Sequence, residues 1–94
     1  VVVELPSGND FSIGDQVRII FIARDPGGVK EFTWGIFLQN QTPLKNGTKK
    51  CDGATECREE VKAEAPIAGT YILGADAVNM QGQTKRGIGE LYVN

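Results

Sequence analysis

The sequence predicts an all-β fold, an antiparallel β-sandwich of about seven strands. Three observations carry that expectation. Apolar residues recur at every second position over most of the chain, and turn-forming clusters interrupt them at roughly 8–12-residue intervals. No stretch shows the 3.6-residue spacing of an amphipathic helix.

VVVEL (1–5) reads as the first strand, closed by the turn-rich PSGND. DQVRIIFIARD puts Val17, Ile19, Phe21 and Ala23 on one face, with Arg18 and Arg24 on the other. Ile20 and Ile22 share that second face, which predicts a central strand covered on both sides. DPGG (25–28) is expected to break the chain, because Pro fixes φ and the glycines allow positive φ. VKEFTWGIFLQN is the third strand, with Phe32, Trp34, Ile36 and Leu38 alternating against Thr33, Gly35 and Phe37. QTPLKNGTKK is polar and turn-rich, with a short edge strand expected around Leu44.

REEVKAEAP alternates Val61, Ala63 and Ala65 with Glu60, Lys62 and Glu64. The period is that of a half-buried strand, although several of its residues are good helix formers. GTYILGADAVN aligns Tyr71, Leu73, Ala75 and Ala77 as a buried strand. MQGQ turns the chain, and TKRGIGELYV returns as the last strand.

Size and composition narrow the function. Ninety-four residues suit a single domain, 1–94, with one core. With 40% hydrophobic and 23% charged residues, the chain has the balance of a folded globular protein rather than a disordered one. A net charge of −2 leaves no excess cation to neutralise phosphates, and Lys49-Lys50 and Lys85-Arg86 are only pairs. Nucleic acid is therefore not an expected partner. Direct membrane insertion is not expected either, since no apolar run approaches the ~18 residues that span a bilayer. The chain opens at VVVEL without Met and stops at LYVN directly after a strand-like run, so it is expected to be one domain excised from a longer multidomain protein.

Two features narrow the sandwich further. Trp34 falls in the middle of the third strand, where an immunoglobulin-like fold places its core Trp. IAGTYIL matches part of the D-x-G-x-Y-x-C pattern: Gly69 and Tyr71 fit, while Ile67 and Leu73 stand at the Asp and Cys positions. The C-terminal segment GTYILGADAVNMQGQTKRGIGELYV resembles the end of the immunoglobulin-like repeats of bacterial and archaeal cell-surface proteins. Those repeats often read G-x-Y-x-(apolar)-x-A-x-D-x-x-G-N before a final strand. The resemblance covers most of the chain in strand order and a minority of positions in identity. The W-x-F-G-D-G signature of polycystin-type repeats is absent.

The resemblance implies Greek-key connections, a core position for Trp34, and a Tyr71 hydroxyl bonded to backbone. It also implies an extracellular or cell-surface location and a non-catalytic spacer, adhesion or interaction role without a cofactor. The expected partners are neighbouring domains of the same chain, with any protein or glycan ligand met through the loops. As a fragment the domain is expected to be monomeric.

CDGATEC (51–57) holds both cysteines. A structural zinc site takes four ligands, commonly thiolates with or without histidines, and this chain has two cysteines and no His. Thioredoxin-type chemistry takes C-x-x-C at a helix N-terminus, which this is not. A local Cys51–Cys57 disulfide around the Asp52-Gly53 turn is the expectation, and it points to an oxidising compartment.

Other candidates each have a plainer reading. Asn40-Gln41-Thr42 and Asn46-Gly47-Thr48 have the form of N-glycosylation acceptors in one polar loop, where Asn and Gly also simply serve turns. Asp25 and Asp76 end the second and sixth strands and are expected at one pole. With Asn79 they make a sparse calcium candidate, set against ordinary turn capping. Trp34 is either core or a sugar-stacking platform, and its neighbours Phe32 and Ile36 favour core. Phe37 and Tyr92 are the expected exposed aromatics. Glu56, Glu59 and Glu60 read as a solvated acidic face.

Catalysis is not expected. Activated Ser or Cys nucleophiles usually recruit a base, His is absent, and Ser7 and Ser12 are the only serines. No phosphate-cradling glycine pattern appears. Two non-catalytic classes stand: a repeat module of a secreted or surface protein, and a carbohydrate-binding or accessory domain attached to an extracellular enzyme. The second calls for an exposed aromatic strip.

Overall fold

A computed structural model describes residues 1–94, and all its regular elements are strands. They are β1 (Val2–Glu4), β2 (Asp10–Phe11), β3 (Gln16–Phe37), β4 (Pro43–Glu64), β5 (Gly69–Asn79) and β6 (Thr84–Val93). They form one curled sheet in the order β1-β3-β5-β6-β2, with β4 also paired to β3. All pairings are antiparallel except the short β2–β6 contact.

DPGG does not end a strand as expected. β3 runs through it, with the ladder to β4 shifting register between Arg24 and Val29. The first half of β3 pairs with β1 and with the second half of β4; the second half pairs with the first half of β4 and with β5. Glycine makes this bend possible. Gly28 has φ +95°, and a Cβ there would lie 2.5 Å from the Gly53 carbonyl oxygen, so the two backbones meet where no side chain fits. Asp25 Oδ1 accepts the Gly27 N–H at 2.8 Å, and the Gly28 carbonyl accepts the Met80 N–H at 3.0 Å. The bend therefore keeps its polar backbone groups paired.

β4 is likewise one 22-residue strand, not an isolated edge strand followed by a second one. PSGND, read as turn alone, ends in the first residue of the two-residue β2, whose Asp10 and Phe11 lie beside Tyr92 and Val93. A bridge that short has no periodicity to detect.

The core follows the period-two pattern. Val17, Ile19, Phe21 and Ala23 of β3 are buried with Phe32, Trp34 and Ile36 of the same strand. Val61 of β4, Tyr71, Leu73, Ala75 and Ala77 of β5, and Leu91 and Val93 of β6 complete one continuous cluster. Ile22 on the opposite face of β3 is also buried, in keeping with a central position between β1 and β4.

The curl is registered by an aromatic pair. Phe21 and Trp34, on opposite sides of the β3 bend, stack with ring centroids 5.6 Å apart and planes 20° apart. Trp34 is 8% exposed, and its far edge lies against Gly47, where a Cβ would sit 2.7 Å from Cζ2. The Tyr71 hydroxyl accepts the Ile67 N–H at 3.1 Å and donates to the Ile67 carbonyl, which ties the β4–β5 connection to the core.

Removing the indole leaves a cavity at the centre of the curl. Trp34→Ala should cost about 3–5 kcal/mol of unfolding free energy in urea denaturation. A loss below about 1 kcal/mol would place the ring outside the core.

Candidate functional site

Cys51 and Cys57 are joined, with Cα atoms 5.7 Å apart and no free thiol left. The ring interrupts the middle of β4 rather than opening a strand. Asp52 (φ 53°) and Gly53 (φ 88°) both take left-handed backbone, which Asp tolerates and Gly adopts freely. Both cysteine side chains are buried against the main cluster. The ring therefore braces β4 where it passes the β3 bend, and its sulfurs offer no nucleophile.

The pole beside that bend is organised by Asn79, a buried polar side chain. Its amide N–H groups donate to Asp25 Oδ2 at 3.1 Å and Gln83 Oε1 at 2.9 Å. Its Oδ1 accepts the backbone N–H groups of Gln81 at 3.0 Å and Gln83 at 2.8 Å. Every hydrogen-bonding valence used here is directed at a protein group. The Gly27 N–H and then the Asn79 amide hold the Asp25 carboxyl below its ordinary value.

Asp76 is not at this pole. It lies opposite Thr33 and Arg86 in the ladders and forms a two-bond pair with the Arg86 guanidinium, at 2.7 and 3.3 Å. That hydrogen bonding depresses its pKa. The expected calcium set is thus split: Asp25 and Asn79 touch each other, while Asp76 serves Arg86. No group of three or more His, Cys, Asp or Glu side chains is placed to hold an ion.

The two sequons also separate. Asn40 is exposed in the β3–β4 turn, where its Oδ1 accepts the Thr42 N–H at 3.0 Å. Asn46 is not in a loop; it is an exposed strand residue opposite Gly35. The glutamates are solvated, as expected, and each also faces a cation. Glu60 pairs with Arg18, Glu56 with Arg24 at 2.7 Å, and Glu59 approaches Lys49 at 3.8 Å. The two arginine pairs cross from β3 to β4 and became visible only with the register, which sets Arg18 beside Lys62 and Arg24 opposite Glu56, whereas Lys49–Glu59 joins the two halves of β4.

Two of the surface hollows are roomy enough to matter here. One, of about 470 Å³, lies on the outer face of β3, β5 and β6, between Phe37, Ile72 and Ile88 and the Asp76–Arg86 pair. Phe37 is half-buried because its ring leans over Gly35, where a Cβ would meet Cζ at 2.6 Å. Tyr92 is 40% exposed on β6, and its hydroxyl bonds Glu90 at 3.1 Å. These aromatics do not form a strip. The other hollow, of about 550 Å³, opens between the two halves of β4 and is lined by Trp34, Lys45, Glu59, Glu60, Val61 and Lys62. Sequence reading missed it because Lys45 and Lys62 are far apart until β4 folds over.

Fold and site together define an all-β protein with a buried disulfide brace and no helix long and apolar enough to cross a membrane. Compared with known proteins, the chain matches no family model, and no curated protein sequence is significantly similar to it. Function must therefore be argued from its own residues.

Two predictions follow from the geometry. Reducing the disulfide releases a seven-residue ring, so unfolding free energy should fall by roughly 2 kcal/mol while far-UV circular dichroism at 25 °C keeps its strand signature. Loss of that signature would make the brace essential to the fold. The carboxyls of Asp25, Glu31, Glu60 and Asp76 all lie below their ordinary values of 3.8 and 4.5 when folded. Their contribution is present above those values and is lost as pH falls through the lower folded ones. Thermal scans from pH 7 to pH 2 should show a Tm that holds to about pH 5 and then declines, less steeply in Asp76→Asn.

Proposed function

We propose that the chain is a non-catalytic immunoglobulin-like module of a secreted or cell-surface protein, acting as a spacer and interaction unit. The two halves of β3 and of β4 are read as separate strands of two facing layers. One layer is then β1, the first half of β3 and the second half of β4. The other is the first half of β4, the second half of β3, β5, β6 and β2. On this reading the connection from β4 to β5 crosses between layers, as a Greek key requires. The Phe21–Trp34 stack and the Tyr71–Ile67 bonds support it.

The observation that carries the functional reading is the direction of the chain. The molecule measures 41 × 24 × 15 Å. Val1 lies beside Arg24, Asp25 and Asn79 at one pole. Asn94 exchanges backbone bonds with Phe11 and Ile13 at the other, near the Asp15–Ala65 contact. A module whose first and last strands point to opposite poles transmits its full length to whatever adjoins it. The buried disulfide supports an oxidising, extracellular setting, and charge alternation along β4 discourages lateral strand pairing.

Small-angle scattering on two copies joined head to tail by a short linker tests this. The maximum dimension should grow by close to the 41 Å long axis. A tandem that packs side by side, with little gain in length, would refute the spacer role.

A further inference from the structure

Trp34 has its ring face committed to Phe21 and its Nε1 edge laid over Gly47, which has no side chain to accept from it. It is 8% exposed and lines the hollow between the halves of β4. No protein group accepts a hydrogen bond from its Nε1–H, and the atom is not sealed from solvent.

The charges around the hollow are unequally committed. Glu60 is held by Arg18, and Glu59 faces Lys49 at 3.8 Å. The ammonium of Lys45 bonds only a neutral partner, the Lys62 carbonyl at 2.9 Å, and retains two free N–H donors. Lys62 contributes its carbonyl to this contact, while its charge acts on Glu60. The hollow thus offers the Lys45 ammonium, with two donors to spare, and one indole N–H without a protein partner, beside carboxylates already opposed by cations. Such a set selects an anionic acceptor. Glu59 at the rim still accepts hydrogen bonds, so the ligand must also carry hydroxyl donors. At about 550 Å³ the space suits a single small ring.

We propose that this mouth binds the carboxylate of an acidic sugar, a hexuronate. The carboxylate meets Lys45, a ring or hydroxyl oxygen accepts from Trp34 Nε1, and a ring hydroxyl donates to Glu59. An acidic side chain entering carboxylate-first would satisfy Lys45 and leave Glu59 unmatched. The outer-face hollow offers no comparable unsatisfied group, since Asp76 and Arg86 neutralise each other. This proposal does not depend on the spacer reading.

Trp34 is the only tryptophan, so a ¹⁵N-labelled sample gives one indole cross-peak that reports the site alone. Sodium glucuronate should shift that peak saturably, with a Kd on the order of millimolar. Glucose and acetate at equal concentration should shift it little. Lys45→Met keeps an apolar stem of similar length in the lining and should weaken glucuronate binding about tenfold or more, whereas Lys85→Met at the Asp25 pole should leave it unchanged. A silent indole peak, an equal response to glucose or acetate, tighter binding of an acidic peptide, or undiminished binding by Lys45→Met would each overturn the assignment.

Discussion

The stack of Phe21 on Trp34 sets the rest of this structure, because both rings belong to one strand. A strand that continues through a bend can leave its halves at many angles. Two large rings packed face to face, in a cluster with Ile19, Val61 and Leu73, favour one of them. β4 follows β3 residue for residue on both sides of the bend, so it must curl as well. β5 and β6 then extend only the half that carries Trp34. Gly28 and the disulfide ring act at the same place: one lets the backbones touch, and the other limits how β4 passes the corner.

Much of the strand content was legible in the sequence, because alternation is a direct consequence of burying one face of a pleated chain. Phe32, Trp34 and Ile36, and Tyr71, Leu73, Ala75 and Ala77, occupy the buried positions their spacing implies. Breaks were harder to read. DPGG and CDGATEC look like ends of strands, since Pro, Asp and Gly favour turns locally. In the structure both are bulged corners inside longer strands, where pairing on either side outweighs local preference. The helix formers of EEVKAEA give way in the same manner to pairing with β3.

The candidate sites were less legible, for a reason that is also physical. Side chains meet according to register, and register is a tertiary property. Asp25 and Asp76 both precede turns or strand ends in sequence, yet only Asp25 reaches Asn79; Asp76 is three residues short of the pole and faces Arg86. Asn46 sits in a polar stretch but is held in a strand by pairing with Gly35. Trp34 was expected either as core or as platform. It is core, and it also lines a hollow that only the folding-over of β4 creates.

The long pairing of β3 with β4 also shapes how the chain can assemble. Its halves are joined by a tight corner in which Leu38 bonds both Gln41 and Thr42, so the entropy lost in bringing them together is small for so extensive a ladder. Contacts between neighbours in sequence are gained before those that close large loops. By the time Glu64 has left the ribosome, the hairpin has both of its sides, and what it leaves waiting is the edge of β3 that β5 pairs with.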